Sequence, residues 1–219
     1  MRTFELTANM LADLPKTGPS DPIEFYHRRW VGKLYVERIN RGLRMLGDRP
    51  VARALEVGYG AGAVQLALID RVHELHGIDL DADPQALSAF LAERHRKPRL
   101  VQGTVYELPY ANDFFDLVVS FSVFEHLHDF GRALREVNRV LRPGGEFLLG
   151  MPAVNRMMEA AFFAIGYKNI DDMHVTTPKK VMDLFETTGF RQVNANMLDF
   201  PLPAPFGVRL YYSWLLQKD

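Results

Sequence analysis

From Val51 onward, short apolar runs alternate with amphipathic stretches. Runs over 53–57, 72–78, 99–102, 115–121 and 146–151 have strand length and are bounded by Gly, Pro or Asp. Between them, 62–69, 84–95 and 131–141 carry apolar residues at helical spacing. Asp83-Pro84 reads as a cap followed by a first-turn proline, and Arg132, Arg135, Glu136 and Arg139 read as the wet side of the 131–141 helix. The 115–121 run is apolar at almost every position, as a strand covered on both faces requires. Pro143-Gly144-Gly145 reads as the turn that delivers the chain to the 146–151 strand. Repeated strand–helix units predict an α/β fold, a Rossmann-like doubly wound sheet with helices on both faces.

The rhythm differs at both ends. Pro15, Gly18 and Pro19 mark loop, and a long helix is expected from Asp21-Pro22 to about Leu46. It gathers Tyr26, His27, Arg28, Arg29 and Trp30, which suits either a packing helix or a flap over a site. After Pro152, a helix rich in Met and Phe and a polar loop are expected up to Thr176. A further helix ends at Thr188-Gly189, and strands are expected over 192–200 and 208–216. Their short proline-rich link suits an antiparallel pair. The expected organisation is a single domain over 1–219. It comprises a helical cap over 1–50, a cofactor-binding core over 51–151, an inserted substrate-side segment over 152–176, and a C-terminal helix with antiparallel strands over 177–219.

Bulk properties narrow the function classes. The 219-residue chain is long enough for one α/β core with additions, and its net charge of −1 supplies no global field for nucleic acid or an anionic surface. The cluster Arg94-His95-Arg96-Lys97-Pro98-Arg99 is the best candidate for a local basic patch; the alternative is a solvated helix end, where cations suit the dipole. Without cysteine, disulfides, thiolate metal sites and thiol nucleophiles are excluded. Asp171 and Asp172 are adjacent acids, too few for a metal site, so none is expected. With no leader-like segment and no run near membrane-helix length, a cytoplasmic protein without stable membrane insertion is expected.

The chemistry centres on Leu55-Glu56-Val57-Gly58-Tyr59-Gly60-Ala61-Gly62. An apolar run breaks into alternating glycines and resumes as a helix, a turn that lets a ligand approach the backbone. Gly58-x-Gly60-x-x-Ala63 with Asp79 about 20 residues on also fits the dinucleotide fingerprint, so an NAD-dependent oxidoreductase is one reading of this turn.

A wider set of motifs resembles the class I S-adenosylmethionine-dependent methyltransferases, in the small-molecule group called type 11. The glycine turn resembles their first motif and Gly77-Ile78-Asp79-Leu80-Asp81 their second. Gln102-Gly103-Thr104-Val105 through Leu108-Pro109-Tyr110, with Phe114-Phe115-Asp116-Leu117-Val118-Val119-Ser120, resembles the adenine-side loop and fourth strand. Phe124-Glu125-His126-Leu127 and the run Leu134-Arg135-Glu136 to Arg142-Pro143-Gly144-Gly145 follow in the same order.

The resemblance implies S-adenosylmethionine as cofactor, S-adenosylhomocysteine as product, and a small-molecule acceptor rather than nucleic acid. It implies that Asp79 holds the ribose hydroxyls and Leu80 lies beside it. Gly58, Tyr59, Gly60 and Gly62 leave room for the methionyl part, and Glu56 fixes the loop or meets the methionyl amino group. Thr104 and Val105 serve the adenine side, and Ser120 and Phe121 flank the reaction centre. Thr104 stands where the family commonly has an acid, which implies weaker binding or reliance on backbone and apolar contacts near Val105. Alignment and a dry pocket supply much of such a transfer, and a base is needed only for an acceptor that must lose a proton. His126 and Tyr26 are the candidate catalytic groups, with His174 behind them; a structural hydrogen bond is the alternative for each. Met157, Met158, Phe162, Phe163, Ile165 and Tyr167 form either core or an acceptor pocket for an apolar or aromatic molecule. The third reading is a cofactor-binding protein without transferase activity.

Overall fold

The computed structural model describes residues 5–11, 13–18, 31–153, 175–200 and 208–219. Tyr26, His174, the first part of the expected N-terminal helix, the Met- and Phe-rich segment and the 201–207 link lie outside the described residues.

Seven strands form one sheet in the order β3-β2-β1-β4-β5-β7-β6. These are β1 (Val51–Val57), β2 (Val72–Asp79), β3 (Arg99–Gln102), β4 (Phe115–Phe121), β5 (Leu141–Pro152), β6 (Phe190–Phe200) and β7 (Val208–Lys218). The first five run parallel; β7 pairs antiparallel with both β5 and β6. The mostly parallel sheet with a closing antiparallel pair is the expected Rossmann-like fold.

Among the described residues the α-helices are α1 (Ala8–Leu11), α2 (Val31–Leu43), α3 (Ala63–Leu68), α4 (Pro84–Ala92), α5 (Phe130–Val140) and α6 (Pro178–Met182). In β4, Leu117, Val119 and Phe121 join the apolar cluster beneath α1, α2 and α3, whereas Val118 joins the cluster beneath α5 and α6. That is the period-two alternation of a strand buried on both faces. Helix α5 buries Ala133, Leu134, Val137 and Val140, one stripe at helical spacing. Leu134, Val137 and Val140, each fully buried, contribute roughly 1.5–3 kcal/mol apiece. Asn40 on α2 fastens the N-terminal segment by accepting from the Leu6 N–H at 2.7 Å and donating to the Leu6 carbonyl at 2.9 Å.

Three local expectations are corrected. Strand β5 starts at Leu141, not 146: Phe115 pairs with Leu141 and Leu117 with Glu146, so Arg142–Gly145 is a bulge within the strand, with Gly144 at φ 71°. Helix α4 stops at Ala92, and His95 turns the chain with φ 57°. The basic cluster after it is solvated and also matched by acids: Arg94 pairs with Asp13 at 3.7 Å, Arg96 with Asp70, and Arg99 with Glu74 at 3.0 Å. Glu136 and Arg139 are not simply a wet helix face. Arg139 Nε and Nη2 grip both Glu136 oxygens at 2.9 and 2.7 Å, and its Nη1 and Nη2 donate to the Tyr110 and Leu108 carbonyls at 2.8 and 3.0 Å. The Leu108 N–H donates back to Glu136 at 2.8 Å. The characteristic motif on α5 is thus a brace for the loop that follows β3.

Candidate cofactor and acceptor site

Strand order reverses between β1 and β4, and the loops that leave these two strands diverge there. In open α/β sheets a ligand crevice forms at that point. A cavity of about 530 Å³ lies there, within the range of small-molecule sites.

Its floor is the glycine turn. Gly58 and Gly60 take φ 80° and 45°, conformations that other residues adopt only at a cost. The Gly58 N–H donates to the Ile78 carbonyl at 2.8 Å, tying the turn to β2. A Cβ on Gly58 would stand 2.2 Å from Val123 Cγ2, so the glycine also makes room for the loop after β4. From the N-terminal side, the Thr17 hydroxyl donates to the Gly60 carbonyl at 2.8 Å, and the Thr17 carbonyl accepts from the Asp83 N–H at 2.9 Å. The segment before Gly18 therefore straps the turn to the start of α4, a contact with no local signature in the sequence.

Asp79 ends β2 with its carboxylate against this turn. One oxygen accepts from the Gly60 N–H at 2.9 Å; the other accepts from the Asp81 and Ala82 N–H groups, each at 2.9 Å. Next to it Leu80 is 63% exposed, a large apolar side chain held open on the cavity wall. Thr104 and Val105 line the wall beyond. The Thr104 hydroxyl accepts from the Tyr106 N–H at 3.2 Å and keeps its own proton to donate.

Glu56 lines the same cavity while only 3% exposed. Gln65 Nε2 donates to it at 2.8 Å. Burial pushes the Glu56 carboxyl up to about 8, with the nearby Asp79 charge adding to the rise. This buried acid beneath the glycine turn gains most from a cationic partner.

Of the other expected residues, Tyr59 is in the lining but turns its ring under the loop, where its hydroxyl donates to the Ala82 carbonyl at 3.1 Å. Gly62 and Ser120 are not in the lining. Gly62 faces Leu87 and begins α3 with φ 90°; the Ser120 hydroxyl donates to the Val57 carbonyl at 3.0 Å across the sheet. Phe121 does reach the cavity, wedged where a Cβ on Gly42 or Gly150 would stand 2.7 or 2.3 Å from its ring. His126 lines the cavity too. Its Nε2 lies 3.9 Å from Glu125 Oε1.

Beyond the site residues expected from the sequence, the loop after β4 and helix α2 also line the cavity. Ser122 takes φ 58°, an unfavourable conformation for a non-glycine residue, held by its N–H on the Gly150 carbonyl at 2.9 Å. Its hydroxyl meets the Tyr211 hydroxyl at 2.9 Å. The turn then carries Glu125 inward until it is only 1% exposed. Arg38 lies with its guanidinium carbon 4.0 Å from the Tyr35 ring centre and 5.1 Å from that of Tyr211. Burial pushes the Glu125 carboxyl up to about 8, with Arg38 and Ser122 opposing the rise. Tyr35, Arg38 and Glu125 all line the cavity. Among the described residues no group of three or more His, Cys, Asp or Glu side chains could hold a metal ion, and no helix is long and apolar enough to cross a membrane.

A cleft at the switch point, a glycine turn and an acid at the end of β2 define a Rossmann-like nucleotide-cofactor protein. Comparison with known proteins gives the family. Residues 55–149 match the methyltransferase-domain family of type 11. The uncharacterized methyltransferase YdaC of Bacillus subtilis is 30% identical over 132 residues, which cover 53% of this chain and 72% of that protein. A second B. subtilis protein, the uncharacterized methyltransferase YcgJ, is 37% identical over 121 residues, covering 53% of this chain and 48% of its own length. The matched region thus spans about half of that relative. Among solved structures, the Burkholderia thailandensis 1,6-didemethyltoxoflavin-N1-methyltransferase, with its substrate and S-adenosylhomocysteine bound, superposes with a TM-score of 0.63 at 22% identity, over 89% of this chain and 84% of that one. The chain belongs to the class I S-adenosylmethionine-dependent methyltransferases, in the type 11 group. That membership decides between the two cofactor readings of the glycine turn, against the nicotinamide one.

Proposed function

We propose that this protein transfers a methyl group from S-adenosylmethionine to a small acceptor bound at the inner end of the cavity. The observation that carries the reading is continuity: one cavity runs from Asp79 and Leu80, past Glu56 and the glycine turn, to Phe121, Tyr35 and Glu125. A donor site and an apolar, aromatic acceptor site share one wall.

The residues fit the cofactor. Asp79 is the ribose acceptor: the oxygen that takes only the Gly60 N–H retains a lone pair. Leu80 and Val105 supply apolar faces for the adenine, with Thr104 a neutral hydroxyl in place of a charged acceptor. Glu56, held by Gln65, meets the methionyl ammonium, which returns the carboxyl towards its ionised form. Gly58 and Gly60 line the cavity with bare peptide.

When bound, the cofactor supplies a methyl group already activated on a sulfonium. The chain's own part is to align the acceptor for in-line attack and to exclude water. Phe121, Val123, Leu127 and Pro152 line the wall for that purpose. These side chains, together with Tyr35 and Ile39, support an apolar or aromatic acceptor. Incubation with an isotope-labelled methyl donor and a metabolite extract, read by mass spectrometry, tests the reading. A labelled product is expected from the extract; tight donor binding with no labelled product from any extract would instead favour a cofactor-binding protein without transfer.

A further inference from the structure

Glu125 is a buried acid at the acceptor end of the cavity, and among the described residues its Oε2 finds no hydrogen-bond donor, although the residue lines the cavity wall. A buried, unsatisfied carboxylate oxygen is costly, and its persistence calls for a ligand group or a function. The fold spends further strain to put it there. Ser122 is held in a left-handed conformation by Gly150 and Tyr211, and the carbonyl of Glu125 accepts from the Val175 and Thr176 N–H groups at 2.9 and 3.3 Å. The backbone that carries Glu125 is therefore tied to β5, to β7 through Ser122, and to the segment leading to α6.

Resting on the methyl-transfer reading above, we infer that Glu125 takes the proton of the acceptor, and that the acceptor therefore attacks through an O–H or N–H group of an aromatic molecule. The acceptor heteroatom forms the new bond to the methyl carbon. The methyl–sulfur bond breaks with its electron pair left on sulfur, which loses its positive charge. The acceptor's proton passes to the free oxygen of Glu125 and from there to solvent, so no oxidant, reductant or further reactant is needed.

The charged and titratable groups facing Glu125 support this role. Arg38 from α2 favours its ionised form, as does Ser122 at the head of the turn. Tyr211 from β7 is pushed up by burial and stays a neutral hydroxyl paired with Ser122. His126 also lines the cavity, with Nε2 3.9 Å from Glu125 Oε1 and its side chain partly exposed. Burial places the Glu125 carboxyl near 8, above a free carboxyl and close to working pH, where a general base is effective. Tyr211 and Arg38 act as positioning residues in this scheme.

The test uses the full chain with labelled S-adenosylmethionine and two probe acceptors, catechol and aniline, read by mass spectrometry for the methylated atom. S-adenosylhomocysteine binding is measured alongside by calorimetry. Wild-type protein is expected to methylate oxygen or nitrogen, with a rate that rises as pH passes through the Glu125 value and then levels. Glu125→Gln is expected to lose on the order of 10²–10⁴-fold in turnover and to keep its S-adenosylhomocysteine affinity. Tyr211→Phe is expected to lower turnover less and to displace the pH profile. Glu125→Gln turning over at the wild-type rate, a wild-type profile flat through that pH range, or no product from either probe by a protein that binds S-adenosylhomocysteine would each overturn the assignment. If Glu125→Gln fails to fold, the wild-type pH profile alone decides. Failure of the wild-type chain to bind S-adenosylhomocysteine would instead overturn the methyltransferase reading beneath it.

Discussion

The Asp79 carboxylate accepts the Gly60 N–H at 2.9 Å, so the two motifs that define the cofactor site are one hydrogen-bonded unit. With the Asp81 and Ala82 N–H groups on its other oxygen, Asp79 shapes the site as well as facing it. Asp79→Ala is expected to lower S-adenosylhomocysteine affinity by roughly 1.5–3 kcal/mol, the worth of a charge-assisted acceptor. It should also lower the melting temperature, because backbone donors lose their acceptor. Calorimetry and thermal melts check both; unchanged affinity would show that the ribose lies elsewhere.

Gly58 answers to two constraints at once, a φ of 80° and a Val123 methyl 2.2 Å from where its Cβ would stand. Gly58→Ala is expected to cost roughly 1–2 kcal/mol in backbone strain and to push the 122–126 turn outward. Donor affinity should fall by about tenfold or more, and acceptor turnover should fall with it. A variant with wild-type affinity would show that the turn has slack that the geometry denies it.

The Glu136–Arg139 brace acts on the cofactor at one remove. Arg139 holds the Glu136 carboxyl below the usual carboxylate range, chiefly through their hydrogen bond. Glu136→Ala leaves Arg139 and the Leu108 N–H without that acceptor and is expected to cost about 1–3 kcal/mol of stability. The loop from Thr104 to Tyr110 should loosen, so donor affinity falls less than in Asp79→Ala. Hydrogen exchange across that loop distinguishes this from a general loss of stability.

Stability should fall as pH rises from the ordinary carboxyl value of 4.5 towards about 8. In that window the folded chain keeps protons on Glu56 and Glu125 that the unfolded chain has released, so raising pH favours the unfolded state. Below the window the sign reverses, because Glu37, Glu74 and Glu136 have lowered values and lose their stabilising charge as pH falls through them. Thermal melts of the ligand-free protein across this range are expected to peak near the acid end. Glu56→Gln should flatten the decline, and an unchanged slope would mean that Glu56 ionises without penalty.

Much of the fold was legible because its signals are local. The glycine turn, Asp79 and the β4 run each declare themselves within a few residues, and the bounds of β3 and β4 fall where the apolar runs place them. What escaped the sequence is what the sheet order assembles. Ser122 and Tyr211 are 89 residues apart and meet only because β7 inserts beside β5. Arg38 reaches the same place from α2, so no spacing rule links it to Glu125. Ser120 at a strand end looks like a site residue, yet its hydroxyl is spent on the Val57 carbonyl inside the sheet. Glu136 and Arg139 match the polar face of an amphipathic helix, and only the loop laid across that face shows them to be a brace.

Calorimetric titration of the full chain with S-adenosylhomocysteine and, separately, with NAD tests the central claim most directly. Saturable binding of S-adenosylhomocysteine that weakens in Asp79→Ala, with no heat from NAD, is the result predicted. Binding of NAD alone, or of neither, would contradict it.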